Sequence, residues 1–213
     1  YRIVFVPETI GSITYIHNNI EELKRNVICG FNVTCVGDNN NYSYLSSRTG
    51  ATLADRVAKH VMFWTDENYK SYSYLDRGSD ERQYCAPGVE LPLCSIMRTK
   101  YGEYAQYHTS ADNLEFISPE GLGGSFDVIR KCIEVLENNV LVKTIVTCEP
   151  QLGKRGLYST LGGQSNNSKG KLITDVLAYA DGTTDLLSIA ELLGIPFWTL
   201  RELVDDLSEH QLV

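Results

Sequence analysis

Tyr1-Arg2-Ile3-Val4-Phe5-Val6-Pro7-Glu8-Thr9-Ile10-Gly11-Ser12 sets out the pattern from which the fold class is read. Tyr1 to Val6 is rich in β-branched and aromatic residues and predicts a buried strand, because such side chains pack well on a pleated surface. The strand ends at the Pro7 break. Ile10, Ile13 and Ile16 then recur at helical spacing, so residues 10–19 predict a helix that Gly11-Ser12 can open. With no initiator Met and no leading cap before the strand, the chain is expected to start inside a larger protein.

The same alternation continues downstream. Val27 to Val36 predicts a second strand, broken by Gly37-Asp38-Asn39-Asn40-Asn41. Thr52 to Phe63 predicts a helix with Leu53, Val57 and His60-Val61 on one side, followed by a polar, Tyr-rich loop from Thr65 to Tyr74. Val89 to Met97 predicts a strand. Pro119 to Asn138 predicts a long helix, with Pro at its start and an apolar stripe of Phe126, Ile129, Ile133 and Leu136. Strands alternating with helices predict an α/β domain over residues 1–150, with a mixed, largely parallel sheet flanked by helices.

Composition changes after Cys148. Five of the 17 glycines fall between Gly153 and Gly170, together with Gln164-Ser165-Asn166-Asn167-Ser168, so residues 151–170 are expected as a linker or loop. Residues 171–213 are again helical in pattern. Leu186 to Leu193 runs to a Gly194 stop, Pro196 opens another helix, and Leu200, Leu203, Val204 and Leu207 form its inner face. This predicts a compact helix-turn-helix domain.

The 213 residues and 43% hydrophobic content suit a globular protein with a sizeable core. No stretch approaches the roughly 20 apolar residues of a membrane span, and the N-terminus does not read as a signal peptide. The six cysteines are scattered without a C-x-x-C pair, which predicts reduced thiols in a cytoplasmic protein. A net charge of -8 argues against a broad nucleic-acid footprint.

Four places hold residues that a hydrolytic metal site would use. Glu8 lies past the expected end of the first strand, where ligands gather in open α/β sheets; on residue chemistry alone it reads first as a helix-start carboxylate. Asp38 also follows a strand and equally suits a turn. Ser79-Asp80-Glu81-Arg82 is a charged cluster before a strand, which also reads as a solvated turn. Tyr107-His108-Thr109-Ser110-Ala111-Asp112-Asn113 places histidine, the commonest metal ligand, near a carboxylate.

In this order and at these gaps the four segments resemble the co-catalytic zinc aminopeptidases, a superfamily that includes glutaminyl cyclases and carboxypeptidase-like members. Phe5 to Ser12, Glu81 to Gly88, Cys148 to Tyr158 and the terminal helix-turn-helix extend the resemblance over nearly the whole chain. They are similar to a bacterial family of aminopeptidase-like proteins with a C-terminal winged helix, linked to surface-polysaccharide biosynthesis. The chain resembles the C-terminal part of such a protein.

The resemblance implies a zinc-dependent hydrolase of amide or peptide bonds, with one or two zinc ions in the full-length protein. It implies Asp38, His108 and Glu8 as metal ligands, Glu8 and Tyr107 as catalytic groups, and Asp80, Glu81, Arg82 and Asp112 as supporting or substrate-binding residues. The family carries paired glutamates, one ligand and one base, whereas Pro7-Glu8 offers one carboxylate. The first His and the bridging Asp of the family pattern lie upstream of the strand predicted at Tyr1. These departures imply weak or no zinc binding by the 213 residues alone.

A peptide or amide-bearing small substrate is the expected ligand, and a homo-oligomer is possible. The alternative is a non-catalytic protein of a polysaccharide pathway that binds a protein partner through its terminal domain. DNA is an unexpected partner: residues 185–213 hold Asp185, Glu191, Glu202, Asp205, Asp206 and Glu209 against Arg201 alone. The Lys154-Arg155 loop reads as an exposed linker or as an anion cradle.

Overall fold

A computed structural model describes residues 1–157 and 164–213. Two compact units divide at Cys132/Ile133.

In the first unit, Gly30–Val33 (β1), Ser43–Leu45 (β2), Lys70–Tyr72 (β3) and Leu93–Met97 (β4) form one sheet of order β1-β4-β2-β3. β1 runs parallel to β4 and β3 parallel to β2, while β2 is antiparallel to β4. The sheet is therefore mixed, with two of its three pairings parallel, as the alternating pattern predicted. β4 is buried along its whole length, as a central strand requires.

Ile10–Asn26 (α1) buries Ile16 and Leu23 against Leu91, with Tyr15, Ile20 and Tyr84 packed around them. Leu53–Thr65 (α2) starts with a capping box. The Thr52 hydroxyl accepts from the Asp55 N–H, and the Asp55 carboxylate accepts from the Thr52 N–H. Asp55 also accepts from the Tyr44 and Ser47 hydroxyls, so one carboxylate joins the start of α2 to β2. A short helix, Glu81–Tyr84 (α3), precedes β4.

Pro119–Asn138 (α4) has the predicted bounds, but Gly121, Ser125, Val128 and Cys132 are its buried residues in the first unit, and Phe126 is exposed. The reason is a close approach of backbones. A Cβ on Gly121 would lie 2.2 Å from the Gly37 carbonyl oxygen, and the Ser125 hydroxyl donates to the Val36 carbonyl at 2.8 Å. The segment after β1 thus selects which face of α4 turns inward.

Tyr1 to Val6 do not form the predicted strand. They run as irregular backbone, and Tyr1, Ile3 and Phe5 are exposed. A strand needs a neighbour for its backbone groups, and the four-stranded order does not include these residues. β2 and β3 were not predicted. Each is three residues long, and β3 lies inside the segment expected as loop.

In the second unit, Leu141–Lys143 (β5) pairs antiparallel with Asp181–Asp185 (β6). The unit therefore begins upstream of the composition change after Cys148, because β5 supplies the partner strand for β6. Gln164–Tyr179 (α5) starts inside the segment expected as linker, which also holds a 3-10 turn at Leu152–Arg155; the rest of that expectation, over 158–163, lies outside the described residues. Leu186–Leu193 (α6) ends at Gly194, whose φ of 62° is the left-handed stop that glycine permits. Phe197–Glu209 (α7) follows Pro196 and buries Leu200, Leu203, Val204 and Leu207, as predicted. No described helix is long and apolar enough to cross a membrane.

Gly121→Ala is expected to cost about 1–3 kcal/mol, because backbone carbonyls cannot swing aside as a side chain can. Gly123→Ala, whose Cβ would meet nothing within 4 Å, should instead gain about 0.5–1 kcal/mol. Urea unfolding of the two variants checks the difference in sign.

Candidate functional site

The parallel pair β1 and β4 carries the candidate residues in the segments beyond its carboxyl ends. After β1 come Cys35 and Asp38; after β4 come Arg98, Thr99 and Tyr101. The Arg98 N–H donates to the Cys35 carbonyl at 2.8 Å, which locks the two segments together.

Asp38 is 3% exposed, and both of its carboxylate oxygens are occupied. Oδ2 accepts from the Thr99 N–H at 2.9 Å; Oδ1 accepts from the Thr99 hydroxyl at 2.6 Å and the Asn40 N–H at 3.0 Å. Its backbone carbonyl accepts from Arg98 Nε at 2.9 Å. As folded, Asp38 is a buried cross-link between two loops, with three donors on its two oxygens. Among the described residues no three His, Cys, Asp or Glu side chains form a group able to hold a metal ion, so the expected set of Glu8, Asp38 and His108 is not assembled.

Glu81 is fully buried and accepts from five donors. Oε1 takes the Gly78 and Ser79 N–H groups at 2.8 and 2.9 Å and the Tyr101 hydroxyl at 2.8 Å. Oε2 takes the Asn32 amide at 2.9 Å and the Ser95 hydroxyl at 3.0 Å. Burial pushes its pKa up, but the hydrogen bonds from Ser79, Tyr101 and Gly78 outweigh it and hold the carboxyl below its ordinary value. Glu81 is a buried structural anchor, which suits the supporting half of the role expected of it rather than direct contact with a ligand.

Its neighbours in sequence work differently. Asp80 Oδ1 accepts from the Thr9 N–H at 2.7 Å, and the Arg82 guanidinium donates to the Thr9 hydroxyl at 2.7 Å. Thr9 has φ 63° and ψ -70°, and the Ile10 N–H donates to the Glu8 carbonyl at 2.7 Å. This is a γ-turn of the rare, strained hand, centred on a β-branched residue. Glu8 precedes it, exposed, with its carboxylate accepting no hydrogen bond among the described residues.

Tyr107 packs at the edge of a cluster formed by Leu45, Met97 and Tyr101. Burial first, then the nearby Cys35 and Glu8, push its phenol pKa up, with Arg82 opposing; the hydroxyl is a neutral donor at pH 7. His108 stacks on it with ring centroids 3.9 Å apart, at a φ of 58°. Asp112 accepts from the Tyr104 hydroxyl at 3.3 Å, and no hydrogen bond joins it to His108, so it does not orient the imidazole as the motif implies.

The structure thus brings Glu8, Thr9, Asp80, Arg82 and Tyr107 together, with His108 stacked alongside, and leaves Asp38 and Glu81 as structural groups. Thr9, Cys35 and Tyr104 were missed by the sequence reading. The Tyr104 hydroxyl donates to Cys35 Sγ at 3.5 Å, and Cys35 has a φ of 49°. No sequence signal announces a positive φ at a threonine or a cysteine.

Glu81→Gln should lose at least about 2 kcal/mol at neutral pH, since the amide cannot accept from all five donors. The folded pKa of Glu81 is depressed, so its stabilisation is present above the ordinary carboxylate value and lost as pH falls through the folded one. Denaturation against pH should therefore show a shallower acid limb in the variant than in the parent.

Residues 1–139 match the family described as a domain of unknown function, DUF4910, and residues 125–213 match a winged helix-turn-helix family. A candidate polysaccharide biosynthesis protein with an aminopeptidase-like domain, from Clostridium acetobutylicum, is 38% identical over 215 residues. The match covers 100% of this chain and 49% of that protein. A crystal structure of a candidate peptidase from Clostridium acetobutylicum superposes with a TM-score of 0.84 at 36% identity, covering 97% of this chain and 46% of that one. An aminopeptidase from Aneurinibacillus sp. strain AM-1 gives a TM-score of 0.49 at 19% identity, over 59% of this chain and 30% of that one, a likeness too loose to argue from. The chain spans about half the length of these first two relatives. It belongs to the DUF4910 family and carries a winged helix-turn-helix domain in its C-terminal region.

Proposed function

We propose that the protein containing this chain is an aminopeptidase-like hydrolase of a polysaccharide-biosynthesis pathway, cleaving a peptide bond or an amide in a small substrate. The observation that carries this reading is the placement of an exposed, hydrogen-bond-free Glu8 carboxylate within electrostatic reach of a protonated Tyr107 hydroxyl. A carboxylate without other partners can take a proton from attacking water. A neutral phenol within that reach can donate to the oxyanion that develops at the carbonyl.

Zinc does not fit the donors that these residues bring together, because no three-donor group forms among the described residues and the Asp38 carboxylate already takes three hydrogen bonds from Thr99 and Asn40. No step is assigned to a metal. Zinc binding by the full-length protein calls for donors from outside the 213 residues, joining His108 and Glu8.

The winged helix-turn-helix domain supports a second reading, a protein-docking role. Exposed positions of α7 include Glu202, Asp205 and Glu209, and its one arginine, Arg201, is paired with Asp205 at 2.5 Å. Such a face repels phosphates and suits a basic protein surface.

In the full-length protein, Glu8→Gln should lower kcat on aminoacyl amides by about 100-fold, and Tyr107→Phe by a similar factor, with KM little changed. Full activity in Glu8→Gln would sink the reading. Metal analysis after zinc loading and dialysis should find well below one zinc per 213-residue chain, whereas a full equivalent would return Glu8 and His108 to the role of sufficient ligands.

A further inference from the structure

Thr9, next to Glu8 in the candidate site, is both strained and held from outside its own segment. Its φ of 63° and ψ of -70° are unfavourable for a β-branched side chain, at a cost of order 1–3 kcal/mol unless the surroundings over-determine them. Two contacts do so. The Asp80 carboxylate takes the Thr9 N–H at 2.7 Å, and Arg82 donates to the Thr9 hydroxyl at 2.7 Å, across 71 and 73 residues of chain. Asp80 and Arg82 flank Glu81, which five hydrogen bonds fix to β1, β4 and the preceding turn. The clamp is therefore anchored in the sheet, while the residue it restrains adjoins Glu8.

We propose that Asp80 and Arg82 are positioning residues that hold the strained turn at Thr9 and thereby fix where the adjoining Glu8 carboxylate lies. Without the clamp, Thr9 relaxes to a negative φ, and the chain direction at Glu8 changes with it. The catalytic consequence rests on Glu8 acting as the base proposed above; the clamp itself does not.

Hydrogen exchange of the full-length protein, followed by mass spectrometry over residues 6–12 and 77–84, tests the clamp without reference to activity. Asp80→Ala should speed exchange at the Thr9 amide at least about tenfold. The Gly78 and Ser79 amides, bound to Glu81, should stay protected, which shows that the variant folds. Asp80→Asn, which keeps an acceptor, should restore much of the protection. Arg82→Met and Thr9→Val remove the same contact from either side, so each should lower kcat about tenfold with KM unchanged, and the double variant should fall no further.

Unchanged exchange at Thr9 in Asp80→Ala overturns the clamp even where Glu8→Gln is inactive. Additive losses in the Arg82→Met, Thr9→Val pair overturn the positioning role. Full activity in Glu8→Gln removes the base assignment and the positioning role with it, while the exchange result still reports the clamp separately.

Discussion

A buried carboxylate with no counter-ion among its contacts, Glu81, is the constraint on which the first unit depends. Taking a carboxylate out of water is tolerable only where hydrogen-bond donors replace its hydration. Here backbone N–H groups from residues 78 and 79, a phenol, an amide and a hydroxyl do so. The donors come from β1, β4, the turn before α3 and the segment after β4, so satisfying one charge fixes four pieces of chain at once. Asn32 and Ser95 are also register partners in the sheet, which ties the carboxylate to the pairing of edge strand β1 with central strand β4.

Asp55 and Asp38 repeat this solution at other corners. Asp55 joins α2 to β2 and the loop after it; Asp38 joins the segments that follow β1 and β4. Each acts as an acceptor for loops that have no ladder partners of their own. Long connections such as the one from Arg98 to Pro119 thereby gain fixed starting points, and the aromatic contacts of Tyr104, Tyr107 and Phe116 extend that order outward.

Helices were the legible part of the sequence. The capping residues at Thr52, the Pro at residue 119 and the Gly194-Ile195-Pro196 break locate ends by local chemistry that tertiary contacts do not override. Strands were less legible because pairing is non-local. Tyr1 to Val6 has strand composition but no partner in the sheet, whereas Lys70–Tyr72 has little strand signal and pairs with β2. The buried face of α4 was misjudged for a related reason: Gly121 carries no hydrophobic signal, yet its lack of a Cβ lets the helix meet Gly37 and Asp38.

In the candidate site, residue type did not separate carboxylates with free oxygens from those that serve as struts. A carboxylate that coordinates a cation needs a free lone pair aimed at open space. Glu81 takes five donors and Asp38 three, all of them groups that hold the fold, and these are the motif carboxylates the core buries. Glu8 takes none, because the turn beside it is held through Thr9 instead. The distinction follows from counting donors at each oxygen, and the count depends on contacts from distant segments such as Thr99 and Tyr101. Here the Glu8 carboxylate stays free of hydrogen bonds while the neighbouring Thr9 takes the contacts that hold its loop. The strained backbone at Thr9 is the structural consequence.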